Sequence, residues 1–229
     1  MRLHLHTVSR LARVVACLFP VLVLATALSL AAALSLPMPV GAQVVDRLVA
    51  IVGEQAITLS DVRAARALGL IEVTAGMTDE ALIDKLVERE LMRAEIERFG
   101  MPQPPADALD TRVRLVRARF ASGEAWTTAL ESCGLSESRF RAWMADDWRI
   151  EQYLQQRFDA AAQPTDEEVQ QYYQSREREF MTDGRAHPFD EARDEARRRL
   201  TDIRRRTLVE DWLTGLRRRA DITLLPAHR

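Results

Sequence analysis

The chain has 229 residues, 47% of them hydrophobic, with 32 Lys and Arg against 34 Asp and Glu. That is globular composition, too apolar for a disordered chain, and a net charge of -2 supplies no whole-chain basic field for nucleic acid. Aromatics at 6% and only 9 glycines argue against a turn-rich all-β sandwich, so helix is the expected element.

The first 42 residues read as a segment apart. Arg2, Arg10 and Arg13 form a positive start, and an uncharged run follows from Val14 to Leu36. Pro37-Met38-Pro39 then precedes Val40-Gly41-Ala42, small residues at the spacing a signal peptidase reads, which places cleavage after Ala42. The apolar run is also long enough to span a bilayer, so an uncleaved inner-membrane anchor is the alternative. Cys17 does not mark a lipoprotein, because most of the apolar run comes after it. Cleavage leaves residues 43–229, enough for one sizeable domain, with Cys133 as its only thiol. No intramolecular disulfide can then form, and stability must come from apolar packing.

From Val44 to Val52 the residues are β-prone, Gly53-Glu54-Gln55 forms a turn, and Ala56-Ile57-Thr58 returns. Thr58 or Ser60 caps a helix running to Ala67, with Asp61 at its positive end. A longer helix starts at the N-cap Thr78 and stops at Gly100-Met101-Pro102; Leu82, Leu86, Val87 and Leu91 face inward, and Glu88, Arg89, Arg93 and Glu97 outward. Pro104-Pro105 opens another, with Leu109, Val113, Val116 and Phe120 as its apolar line. A short helix from Gly123 to Cys133 turns Trp126, Ala129 and Leu130 inward.

Ser136 caps a long segment in which Phe140, Trp143, Asp147, Ile150, Leu154 and Phe158 share one stripe. Thr165 and Glu168 form a T-x-x-E capping box. The run from Met181 to Pro188 is the one evident loop. A helix from Phe189 to Arg219 and a strand from Asp221 to Leu225 close the chain. That strand needs a partner, and the only β-prone region is 44–58, so both ends should meet in one sheet. The expected fold class is mainly α: a multi-helix core with a small β element pairing the N-terminal hairpin and the C-terminal strand.

Catalytic chemistry has little support. His187 stands in the loop and His228 at the terminus, with no His, Cys or carboxylate cluster at metal-ligand spacing. There is no Gly-rich phosphate loop and no G-x-S-x-G elbow. Cys133 reads as a small buried residue and not a nucleophile. The expectation is a protein without catalytic residues, metal or cofactor. The triplets Arg197-Arg198-Arg199, Arg204-Arg205-Arg206 and Arg217-Arg218-Arg219 read either as a solvated face with interleaved acids or as a contact for a membrane or an acidic partner. Aromatics are not interleaved with them as stacking platforms, which excludes nucleic acid. Met92, Phe120, Phe140, Trp143 and Met144, on adjoining helices, are the candidate apolar surface for binding another polypeptide.

The opening Val44-Val45-Asp46-Arg47-Leu48-Val49-Ala50-Ile51-Val52 through Ile57-Thr58-Leu59-Ser60-Asp61 resembles the start of the SurA-type periplasmic chaperones, where such a hairpin follows the signal peptide. Leu82 to Met92, Pro164 to Tyr173, and Phe189 to Ile222 resemble later helices and the returning strand of that family. The resemblance implies one chaperone domain over 43–229: a helical part to residue 180, a short loop at 181–188, and a returning helix and strand at 189–229. Family members commonly carry parvulin-type prolyl isomerase domains where this loop stands, and no parvulin-like Gly-Gly stretch or histidine pair occurs here. Isomerase activity is therefore not expected. The implied function is an ATP-independent periplasmic holdase for unfolded exported polypeptides, outer-membrane β-barrel precursors above all. The alternative is a non-catalytic adaptor that holds one envelope partner.

Overall fold

The computed structural model describes residues 46–182 and 185–226. Val44, Val45, His228 and the expected signal segment with its cleavage site lie outside the described residues. The first strand, β1 (Leu48–Val52), turns through Gly53-Glu54 into β2 (Gln55–Thr58), with Val52 opposite Gln55. The turn demands a positive φ, which Gly53 supplies at 58°. A register shift between Leu48 and Ala50 lets the successive residues Val49 and Ala50 both be buried.

Thr58 ends β2 and caps α1 (Leu59–Ala67) at once. Its hydroxyl accepts from the Asp61 N–H, while the Asp61 carboxylate accepts from the Thr58 N–H at 2.9 Å. Next come α2 (Asp79–Phe99), capped by Thr78, then α3 (Ala106–Arg117) and α4 (Gly123–Cys133). Gly134 ends α4 at φ 69°, and a Cβ there would lie 3.2 Å from the Ser60 hydroxyl, so the residue joins two requirements. The longest stretches are α5 (Glu137–Ala162) and α7 (Phe189–Arg217), linked through α6 (Asp166–Ser175) and a 3-10 turn at Glu177–Phe180.

The loop expected at 181–188 holds instead a two-stranded antiparallel hairpin, β3 (Met181–Thr182) with β4 (Arg185–Ala186). A segment this short that reverses direction satisfies its backbone by pairing with itself, and the His187 N–H closes the base on the Phe180 carbonyl at 3.0 Å. The final strand, β5 (Ile222–Leu224), pairs antiparallel with β1 in the order β2-β1-β5. Both ends of the folded unit therefore share one sheet, as the sequence predicts, and the fold is mainly α with a small β element.

Three apolar clusters hold these elements. The largest joins the sheet to α1–α4, the start of α5 and Leu216 near the end of α7. A second, of Ile96, Met101, Ile150 and Tyr153, packs α2 and α5 with Trp212 of α7. The third, of Val169, Tyr173, Phe180, Ala192 and Ala196, joins α6 to the start of α7. Trp212 lies between Tyr153 and Phe158, ring centroids 5.6 and 5.7 Å away, and so fastens α7 along α5.

Candidate functional site

Where α2, α5 and α7 run side by side they leave an open trough of about 700 Å³. Met92 of α2, Ile150 and Leu154 of α5, and Val209 and Leu213 of α7 line it, together with Leu70 and Ile71 from the α1–α2 connection. Ile150 with Leu154, and Val209 with Leu213, are spaced by four, so each helix turns two apolar residues to the same side. Charges of both signs border them: Lys85, Arg205 and Arg206 against Glu88, Glu151, Asp202 and Glu210. The result is an open, concave surface with an apolar lining and a border of both charges.

The trough is held in shape by an ion pair between helices. Arg89 Nε donates to Asp147 at 2.7 Å, another of its nitrogens donates to the Trp143 carbonyl at 3.2 Å, and the guanidinium stacks 4.1 Å over the Trp143 ring. Burial pushes the Asp147 carboxyl above its ordinary value, while Arg89 draws it the other way. This corrects the expectation that Arg89 faces outward on α2: it is drawn into the α2–α5 seam by the acid on the apolar stripe. Nearby Arg149, 4% exposed, donates to the Met101 carbonyl at 3.1 Å and to Glu97 at 2.6 Å. It locks α5 to the end of α2. The Glu97 carboxyl is held below its ordinary value by that bond.

Of the five residues expected to form the binding surface, Met92 lines the trough. Phe140 and Met144 are 0 and 5% exposed and belong to the largest apolar cluster, so in this structure they offer a polypeptide little or no surface; Trp143, also in that cluster, borders a smaller cavity beside β2 and not the trough. Phe120 is half-buried against Trp126, ring centroids 5.2 Å apart, away from the trough. Shared periodicity placed these side chains on inward stripes, and the inward side of α5's first turns is core. Val209, Leu213 and Ile71 were missed. The first two were legible as a spaced pair on the last helix, whereas Ile71, in a connection without periodicity, was not.

The arginine-rich α7 is largely paired. Arg197 meets Asp166, Arg204 meets Glu168 at 2.6 Å, Arg205 meets Asp159 at 3.0 Å, and Arg217 meets Asp84 at 3.1 Å. Arg198 and Arg199 both pair with Glu195 on their own helix. Of these partners only Glu195 is an acid interleaved on α7; the other four lie on α2, α5 and α6, so most of the pairs tie α7 to its neighbours. Among the described residues no group of three His, Cys, Asp or Glu side chains stands where it could hold a metal ion. Nor is any helix among them long and apolar enough to cross a membrane.

The fold is a helical body closed by a small sheet that joins both ends of the folded unit. A solved structure from Campylobacter jejuni shares it, from work describing the virulence factor PEB4 and the periplasmic protein Cj1289 as two structurally related SurA-like chaperones. The match has a TM-score of 0.51 and 11% identity, over 79% of this chain and 100% of that one. The likeness shows a shared fold. No protein-family model matches the chain, and no curated protein matches it in sequence.

Proposed function

We propose that the protein is an ATP-independent periplasmic chaperone that holds unfolded exported polypeptides, outer-membrane β-barrel precursors foremost, after its signal peptide is removed. The observation that carries this reading is the trough: open, lined by apolar side chains from three helices, and bordered by charges of both signs. The likeness to SurA-like chaperones and the export-type segment at residues 1–42 support it. The role is binding without catalysis. Barrel precursors crossing an aqueous compartment expose alternating apolar strand faces that aggregate. Burying two client side chains contributes roughly 3–6 kcal/mol before the cost of ordering the chain, which keeps each contact weak and exchangeable. Holding the unfolded form then suppresses its aggregation by mass action.

The test is light scattering of a urea-unfolded outer-membrane β-barrel protein diluted into buffer, with and without purified residues 43–229. Dose-dependent suppression near stoichiometric ratios is expected, absent with a control protein of similar size and charge. The double variant Met92→Lys, Val209→Glu is expected to lose most of that suppression while keeping the wild-type circular dichroism. No suppression by folded wild-type protein would replace the general holdase with the single-partner adaptor. Full suppression by the double variant would move the client site out of the trough.

A further inference from the structure

A second cavity, of about 190 Å³, is lined by β2, α2 and α5. Gln55, Ala56 and Ile57 line it from the strand, Leu86 from α2, and Ala142 and Trp143 from α5. β2 is an edge of its sheet. In a hairpin closed by a two-residue turn, the residues flanking the turn, here Val52 and Gln55, exchange ladder hydrogen bonds, and the next pair, Ile51 and Ala56, does not. The N–H and C=O of Ala56 therefore point away from β1, and Ala56 is exposed. Trp143 lines the same cavity, and its indole N–H is buried and has no hydrogen-bond partner among the described residues. A buried donor without an acceptor is costly, and whatever supplies the acceptor is bound the more tightly for it.

The chemistry of the occupant follows from charge. Each charged side chain around the cavity is already committed: Arg89 to Asp147, Arg93 to Glu90, Arg139 to Asp61, and Asp146 to Arg149. No net charge is left for an ion. The complement of a free strand edge beside a neutral, partly apolar groove is a peptide backbone, which carries donor and acceptor at strand spacing. Arg89 borders both this groove and the trough.

We infer that β2 captures an extended segment of the client as an added strand, its backbone pairing with Ala56 and one of its carbonyls accepting from Trp143 Nε1. The inference deepens the chaperone reading and rests on it for the client: segments of high β-propensity without proline are bound best. The experiment titrates ¹⁵N-labelled residues 43–229 with a capped peptide of about ten residues alternating valine and threonine. The same peptide, N-methylated at alternate amides, is the control. With the first peptide, exchange of the Ala56 amide slows by about tenfold and the Trp143 indole resonance moves downfield; the methylated peptide does neither.

Ala56→Pro removes an N–H that the sheet itself does not use, as an edge strand tolerates, and lowers peptide affinity by about tenfold with an unchanged melting midpoint. Trp143→Phe keeps a ring beneath Arg89 and weakens binding in the same direction. Equal binding of the methylated peptide, or wild-type affinity in Ala56→Pro, overturns strand addition. Protection of Ala56 that rises with protein concentration in the absence of peptide overturns it in favour of a second copy of the chain. If the wild-type protein suppresses aggregation while β2 stays untouched by peptide, strand addition fails and the holdase reading stands. If neither binding nor suppression occurs, both fall.

Discussion

Phe140, expected on a binding surface, is fully buried in this structure. It packs edge-on against Trp126, centroids 4.8 Å apart, inside the cluster that joins the sheet to α4 and α5. Phe140→Ala is expected to destabilise the fold by about 3–5 kcal/mol, the cost of a cavity left by a fully buried ring. Urea unfolding measures it, and a loss below about 1 kcal/mol would contradict the core role. The companion Trp143 has two environments: its face carries the Arg89 guanidinium, and its N–H lies buried without an acceptor among the described residues. Arg149 and Arg89 make the same point for charge. Both lie on helices whose periodicity puts arginine outside, and both are drawn inward by acids and carbonyls on the neighbouring helix.

Among elements, α6 is attached by apolar and ionic contacts together. It adds Val169 and Tyr173 to a small apolar cluster, and Asp166 and Glu168 tie its first turn to Arg197 and Arg204 of α7. Hydrogen bonds from Arg204 and from the Thr165 N–H hold the Glu168 carboxyl at about 2, below its ordinary 4.5. A carboxyl whose folded value is depressed stabilises the fold fully above its unfolded value, and this contribution fades as pH falls toward the folded one. Wild type is therefore expected to lose stability more steeply between pH 4.5 and about 2 than Glu168→Gln, in which no such titration exists. Parallel pH profiles of the thermal midpoint for the two proteins would sink this account. The capping box at Thr165 and Glu168 was legible as T-x-x-E; the Arg204 partner, on another helix, was not.

At the scale of the molecule, β5 fastens the last helix to the first strand. It brings ladder bonds to β1 and two flanking bonds, Gly53 N–H to the Asp221 carbonyl at 2.8 Å and Leu225 N–H to the Val49 carbonyl at 3.0 Å. Those bonds keep the end of α7, with Leu216, against the main cluster. Deleting residues 221–229 is expected to cost about 3 kcal/mol or more, since several backbone bonds vanish together and β1 becomes an edge. A truncated chain that melts at the wild-type temperature would show that helix packing alone holds the ends together. The trough depends on the same closure, because α7 supplies one of its three walls.

By itself the sequence determined the helices, most of their caps, a hairpin within residues 44–58 and the pairing of its two β-prone ends. Each of these rests on local chemistry: a hydroxyl three residues before an acid, a glycine at a positive φ, an apolar period, a strand that needs a partner. Tertiary structure alone decided which inward stripes are core and which line a trough. That choice turns on how far apart three helices stand along a common length, and spacing between elements leaves no mark on the period within any one of them. It decided also where Arg89 and Arg149 point, because a charge follows the acid or carbonyl that folding brings beside it.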